Sequence, residues 1–375
     1  MPAANNQLVS QPSIRRVGIV TSHLSTGDAV SNDVLGMCEA FQRRGVEARM
    51  YAGGSDFTEP QAGDVSEVHQ FLTDPADLLI YHYSIGWDQG LELLRRLKCR
   101  KAVKYHNVTP PEFFAGVSLW HEEQCRAGRA EIKEIVRAGC DIYLADSAYN
   151  REDLLRHVAA QERCFVVPPF HHVEQLQAIE AELDVLDEYR DGVTNILMVG
   201  RVAPSKGHAD LIEAFAAYHH DYNRHSRLLI VGKEITAFEN YSKRLRELMA
   251  YFLVEDAVSF TGQVSDSALK AFYLLANVFA TASEHEGFCV PIVEAMAMKV
   301  PVVAYASSAI PAMVGGCGLL LRERRPYLMA EAIDRLVRDE ALSFAFGHAG
   351  WRHYEQNFTN EKIEAELFRV LNSPE

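Results

Sequence analysis

"VFATASEHEGFCVPIVEAMAMKVPVVAYAS" occupies residues 278–307. An apolar β-branched run at 278–283 stops at a Glu286-Gly287-Phe288-Cys289 turn. A helical pattern then runs from about 290 to 298, and a second apolar run begins at 300. Strand, helix and strand in about thirty residues make a crossover unit that joins two parallel strands. Within it two carboxylates, Glu286 and Glu294, stand on a loop and on an otherwise apolar helix.

The same unit recurs along the chain. In the first half the apolar runs are 17–23, 48–53, 78–84, 101–108, 142–147 and 164–169. In the second half they are 195–202, 227–234, 258–264, 278–283, 300–307 and 318–321. Near-continuous apolar strands alternating with helices predict parallel sheets covered on both faces. Two sets of six predict an α/β protein of two doubly wound, Rossmann-like domains facing one another across a cleft. Pro168 and Pro169, a charged helical pattern over 173–190, and Asp191-Gly192 punctuate the chain between the sets. The domains are therefore expected at 14–190 and 191–355, after a frayed tail over 1–13. A last helix over 356–375 is expected to cross back to the first domain.

At 375 residues the chain is long enough for two such cores. Apolar content of 48% and charged content of 23% are those of a water-soluble enzyme. No apolar run reaches the ~18 residues that a membrane span needs. The first residues lack the basic and apolar regions of a signal peptide. Seven scattered cysteines, none in a C-x-x-C pair, suggest reduced thiols and a cytoplasmic protein. A net charge of -14 argues against nucleic acid as a partner, since phosphate backbones reward a basic surface.

In such sheets function gathers at the carboxyl ends of strands. "LMVGRVAPSKGHADLIEAF" (197–215) ends a strand at Gly200, then offers Arg201 and Lys206 before a helix. A forked cation and a point-charge cation five residues apart suit a diphosphate, although alone they read equally as a solvated basic pair. The helix after Glu286 presents free N–H groups and the positive end of its dipole, which is an anion site. Glu286 is expected to project beside that site and accept hydroxyl hydrogen bonds. Glu294 is flanked by Ile292, Val293, Ala295, Met296 and Ala297, so it reads as a buried carboxylate able to hold ribose hydroxyls rather than a surface residue.

E-G-F-x5-E-A-M-A followed by P-V-V, and preceded by G-R-x4-K-G, resembles the retaining GT-B glycosyltransferases of family 4, group 1. The resemblance runs from the first strand to the C-terminal helix. It implies that Arg201 and Lys206 bind the donor diphosphate, that Glu286 contacts the donor sugar, and that Glu294 holds the ribose. It implies further that Gly262, Gln263 and Val264 read the base, and that Gly287, Phe288 and Cys289 line the donor pocket. His106, in "KYHNVTPPEFF", falls near donor sugar and acceptor, and Gly27, in "LSTGDAVSNDV", falls on the loop that approaches the diphosphate. Gly27-Asp28-Ala29, "YHYS" (81–84) and "HNVTPPEFF" (106–114) look like bacterial O-polysaccharide and exopolysaccharide mannosyltransferases. That implies GDP-mannose as donor and a lipid-linked or oligosaccharide acceptor. The chain departs from the pattern at Cys289 and Lys299, where glycines are usual, and at Ala312, where a glutamate is common.

No Asp-x-Asp falls in a loop placed to hold a metal between donor phosphates, so no metal or other cofactor is expected, and the cations and the helix dipole would stabilise the leaving diphosphate. Arg95, Arg96, Lys98, Arg100, Lys101 and Lys104 form a basic run that reads either as a solvated face or as a contact with anionic lipid at the inner membrane face. The competing readings are a UDP-sugar-dependent transferase of the same fold, a sugar-nucleotide 2-epimerase and a non-catalytic nucleotide-sugar-binding subunit. A dinucleotide dehydrogenase is excluded, because no G-x-G-x-x-G follows the first strand.

Overall fold

The computed structural model describes residues 14–57, 59–158 and 163–372, so the expected tail over 1–13 and the end of the last helix lie outside the described residues. Among the described residues thirteen strands form two separate parallel sheets. The first contains β1 (Arg16–Thr21), β2 (Glu47–Ala52), β3 (Gly63–Asp64), β4 (Leu78–Tyr83), β5 (Arg100–Tyr105), β6 (Ile142–Ala145) and β7 (Cys164–Val166), in the order β3-β2-β1-β4-β5-β6-β7. The second contains β8 (Thr194–Val199), β9 (Ser226–Val231), β10 (Val258–Gly262), β11 (Val278–Thr281), β12 (Val302–Tyr305) and β13 (Leu319–Leu321), in the order β10-β9-β8-β11-β12-β13. All twelve apolar runs are strands. The added strand, β3, is two residues long and leaves no hydrophobic period to read.

Each sheet has two apolar faces, and four clusters of buried side chains fill them. Val20, Tyr81, Tyr83, Val103 and Tyr143 lie on one face of the first sheet, and Ile19, Ile80, Ala102 and Leu144 on the other. The alternation is the period-two geometry of a strand buried on both sides. β4 is buried at every position, which is why its six residues read as an unbroken apolar run. In each sheet the strand order reverses between the first and fourth strands of the set, β1 beside β4 and β8 beside β11. A crevice opens at that switch point, and the two crevices face each other.

The chain crosses between the sheets twice. The charged stretch expected as one helix over 173–190 is two, Val173–Ala178 and Leu183–Tyr189. The break has a tertiary cause: Lys270 donates to the carbonyls of Gln177 and Ile179, which a continuous helix would have used internally. Near the C-terminus, helix Glu340–Asn357 packs on helix Val290–Ala297 of the second domain. Helix Asn360–Leu371 then returns to the first sheet and buries Ile363, Leu367, Phe368, Val370 and Leu371 there.

The basic run is not one surface. Lys104 is fully buried in β5, where its ammonium sits 2.8 Å from Asp146. The Lys101 ammonium donates to the carbonyls of Leu94 and Ala138. Arg100 is half-buried, and only Arg95, Arg96 and Lys98 are exposed, the first two paired with Glu134 and Glu92. A strand alternates its faces, so a run of cations in sequence is not a patch in space. Among the described residues no helix is long and apolar enough to cross a membrane.

Candidate active site

The loop after β8 and the turn after β11 are locked together by backbone. Gly207 has φ +67°, and a Cβ there would lie 2.0 Å from the Ala282 carbonyl oxygen, so only glycine lets the loop approach so closely. The Ser205 carbonyl accepts from both the Glu284 and the His285 N–H. This packing brings Lys206 to Glu286: the ammonium lies 2.8 Å from each carboxylate oxygen. Glu286 is 7% exposed, so the pair sits in a partly dry site and the carboxylate is held in one orientation. Sequence spacing placed both residues at the site; their direct pairing is a tertiary result.

Arg201 is exposed on the same loop, and no described carboxylate forms an ion pair with it. Its charge reaches His121 across the cleft and, after burial, is the second cause holding that imidazole below its usual range. Helix Val290–Ala297 starts at Cys289, whose backbone is left-handed at φ +80°. A glycine would adopt that conformation freely, and a side chain there costs about 1–2 kcal/mol. Phe288 is buried and packs edge-on against Phe358, 5.7 Å between centroids.

Glu294 is buried in the second turn of this helix. One oxygen accepts from the Tyr273 hydroxyl at 2.6 Å, and burial raises the carboxyl above its usual range. Gly262 (φ +73°) ends β10, and Gln263 and Val264 follow it, Gln263 exposed and Val264 packed against the core. Gln263 faces Gly27 of the first domain, whose hypothetical Cβ would lie 3.6 Å from its amide nitrogen. Gly27 itself is exposed with φ +76°, one residue before Asp28, which caps helix Ala29–Arg43.

Across the cleft the first domain closes on the Glu286 turn. A Cβ on Gly287 would stand 2.5 Å from the His106 carbonyl oxygen, so this glycine is required by the contact. Asn107, left-handed at φ +74°, shares a hydrogen bond with His285 at 3.2 Å and donates to Asn150 at 2.8 Å. Burial holds His285 down to about 4, which keeps it neutral between the domains. The His106 imidazole, by contrast, points back into its own domain. Its Nδ1 lies 2.8 Å from Asp146 and its Nε2 2.9 Å from His82 Nδ1, leaving 5% of the side chain exposed. The ring therefore reaches the cleft by its edge, with both nitrogens engaged elsewhere.

Asn107, His285, Tyr273, Asp33 and Asp146 were not singled out from sequence as site residues, and Lys104, which stands behind His106, was read only as part of the basic run. Asn107 follows His106 directly, so its neighbour was the available signal. His82 lay at a strand end, where functional groups gather. Asp33, in mid-helix, and Asp146 carried no local signature.

Residues 188–352, which make up most of the second domain, match the model of the glycosyl transferases group 1 family. Among curated relatives, a capsular polysaccharide biosynthesis glycosyltransferase of Staphylococcus aureus is 32% identical over 47% of this chain and 45% of its own length. A GDP-mannose-dependent α-(1-6)-phosphatidylinositol monomannoside mannosyltransferase of Mycobacterium tuberculosis is 28% identical over 62% of each chain. The alignments thus span about half to two thirds of the curated relatives' length. Sucrose-phosphate synthase from Thermosynechococcus elongatus superposes with a TM-score of 0.76 at 20% identity, over 95% of this chain and 98% of that one. The fold is GT-B: two parallel-sheet, Rossmann-like α/β domains.

Proposed function

We propose that this chain is a retaining glycosyltransferase that moves a hexose from a nucleotide-sugar donor to a lipid-linked or oligosaccharide acceptor. GDP-mannose is the donor and bacterial surface polysaccharide synthesis the setting. The observation that carries the reading is the convergence of Arg201, Lys206, Glu286 and the start of helix Val290–Ala297 at the switch point of the second sheet. Cations, a helix dipole and an oriented carboxylate in one water-poor cleft suit a leaving diphosphate and a sugar that develops positive charge.

Arg201, unpaired and forked, would take the diphosphate bidentately. Lys206 has three N–H bonds and can serve both Glu286 and a phosphate oxygen. Glu286 would accept hydrogen bonds from donor hydroxyls while its charge favours the oxocarbenium-like state. Glu294, one oxygen fixed by Tyr273, would offer the other to the ribose, and the Gly262–Val264 segment would meet the base. The acceptor hydroxyl would attack the face from which the nucleotide leaves, with a donor phosphate oxygen taking the proton, so that configuration is retained. No divalent metal is required in this scheme.

Support for GDP-mannose comes from the first-domain segments around Gly27 and His106 and from the similarity to the mycobacterial mannosyltransferase. Membrane contact, if made through the basic run, would fall to Arg95, Arg96 and Lys98 alone. Titration of GDP and UDP, followed by transfer assays with each sugar nucleotide and a polyprenyl-linked acceptor in excess chelator, tests the scheme. We expect GDP to bind, GDP-mannose to turn over, and the rate to survive chelation. Tight UDP binding without response to GDP overturns the donor, and full loss of rate restored by Mg²⁺ overturns metal independence.

A further inference from the structure

The backbone of Glu284, His285 and Glu286 belongs to no helix or strand, so its polar groups must be met by neighbouring loops. On one side the Ser205 carbonyl accepts from the Glu284 and His285 N–H groups. The loop after β12 meets the other side. There the Ser308 hydroxyl oxygen accepts from the Glu286 N–H at 2.8 Å, and the Ala309 N–H lies 3.4 Å from the Glu286 carbonyl oxygen. The Ser307 hydroxyl donates to the Ser283 carbonyl just upstream. Glu286 is thus held at its side chain by Lys206 and at its backbone by the loop after β12.

Ser308 makes this contact from a strained backbone. Its φ is +44°, in the left-handed region where a glycine would rest freely and a side chain is disfavoured. The loop has little freedom to relax. The Ala306 N–H donates to the Leu321 carbonyl on the β13 side, and the Ile310 N–H to the Ser307 carbonyl at the other end. A serine in such a conformation often satisfies a local backbone group or caps a helix. Ser308 does neither. Helix Ile310–Val314 starts at Ala309 without a side-chain cap, and the hydroxyl of Ser308 is spent on Glu286, 22 positions earlier. Strain that persists beside a functional group, and delivers a hydrogen bond to it, points to a role there.

We propose that Ser308 is a positioning residue for the Glu286 carboxylate, and that its left-handed backbone is kept because it delivers the hydroxyl to the Glu286 N–H. The N–H sits on the atom next to the Glu286 Cα, so it sets the base from which the carboxylate projects. Lys206 alone fixes the tip, and an ammonium on a flexible stem can follow a carboxylate that moves. Without the hydroxyl the Glu286 N–H, in a nearly buried residue, must turn to find another partner and carries the side chain with it. The effect on rate rests on the proposed transferase reading, whereas the clamp itself rests on the geometry alone.

The test compares Ser308→Gly and Ser308→Ala with the wild type. Both remove the hydroxyl, but glycine relaxes the left-handed backbone and alanine leaves it strained. Hydrogen exchange of the full chain, read by mass spectrometry over 283–288, follows the clamp without any assay of activity. The Glu286 amide should exchange about tenfold faster or more in both variants, as for loss of one hydrogen bond. The Glu284 and His285 amides, bonded to Ser205, should stay as slow as in the wild type. In transfer assays kcat should fall about tenfold or more in both variants, with donor KM changed by less than about twofold. In denaturant the glycine variant should resist unfolding better than the alanine variant. Relief of strain should therefore restore stability without restoring rate, whereas a merely structural role would let rate follow stability. Wild-type exchange at the Glu286 amide in Ser308→Gly overturns the clamp, and wild-type kcat in that variant overturns the positioning role. A glycine variant no more stable than alanine overturns the strain. If the alanine variant does not fold, exchange and kcat of the glycine variant decide alone. If the wild type turns over no sugar nucleotide, the transferase reading fails and the exchange rates still decide the clamp.

Discussion

At the scale of single residues, two glutamates eight positions apart do different physical work. Glu286 is oriented by a two-oxygen contact with Lys206 at the mouth of the cleft. Glu294 is enclosed in a helix and tied to Tyr273. Their isosteric variants should therefore fail differently. Glu286→Gln keeps the volume but weakens the Lys206 contact and, on the proposed transferase reading, removes the charge that would favour an electron-poor sugar. It should lower kcat by about 10²–10³-fold with a smaller change in donor KM, as for loss of one oriented electrostatic group. Glu294→Gln should weaken nucleotide binding by roughly 10–100-fold, the worth of a charged hydrogen bond, with a smaller effect on kcat. Steady-state kinetics and nucleotide titration check both, and equal losses in the two variants would refute the division of labour. The presence of both residues was legible in the E-G-F-x5-E-A spacing. The pairing of Glu286 with Lys206 was not, because nothing in a chain says which of two charges eighty residues apart will touch.

At the scale of elements, the helix bearing Glu294 shows how local rules and context share control. Both of its ends carry left-handed residues, Cys289 at φ +80° and Lys299 at φ +60°. Both positions were marked in the sequence as departures from an expected glycine, and the backbone gives the reason. Cys289 is buried and packed, so its thiol repays part of the strain. Lys299 is exposed and touches little beyond the Trp351 ring, 4.8 Å from its ammonium. Lys299→Gly should therefore stabilise the protein by about 1 kcal/mol by relieving that conformation. Denaturant unfolding measures it, and a stability equal to or below that of the wild type would show that the ring contact outweighs the strain. The charged stretch over 173–190 teaches the converse. Its composition reads as one helix, and it is broken because Lys270, distant in sequence, takes carbonyls that the helix would have used.

At the scale of the whole molecule, the two domains meet where His106 and Asn107 press on His285 and Gly287, and the joint contains a buried neutral imidazole. Burial holds His285 down to about 4 and His208, beside Lys206, down to about 3. In the unfolded chain both would titrate near 6.5. Their folded-state affinities for protons are depressed, so their contribution to stability is fully present above pH 6.5. It is lost as pH falls from 6.5 through about 4 for His285 and about 3 for His208. At pH 5 unfolding should take up about one proton for each, and His285→Gln should reduce the slope of stability with pH by about 1.4 kcal/mol per pH unit. Denaturant unfolding between pH 4.5 and 7 checks this, and an unchanged slope would mean that His285 is protonated in the folded joint. What the sequence by itself determined is the α/β class, the two sets of strands, the loops that carry Arg201, Lys206 and Glu286, and the helix that carries Glu294. Strand burial and helix starts are written in short-range periodicity, and short motifs keep their spacing in the chain. Only the tertiary structure decided that Lys104 is buried rather than surface-facing, that His106 turns inward to His82, and that Asp33 and Asp146 stand behind it. Those are contacts between residues from separate strands and helices, and burial of charge is set by which faces meet, a quantity with no local signature.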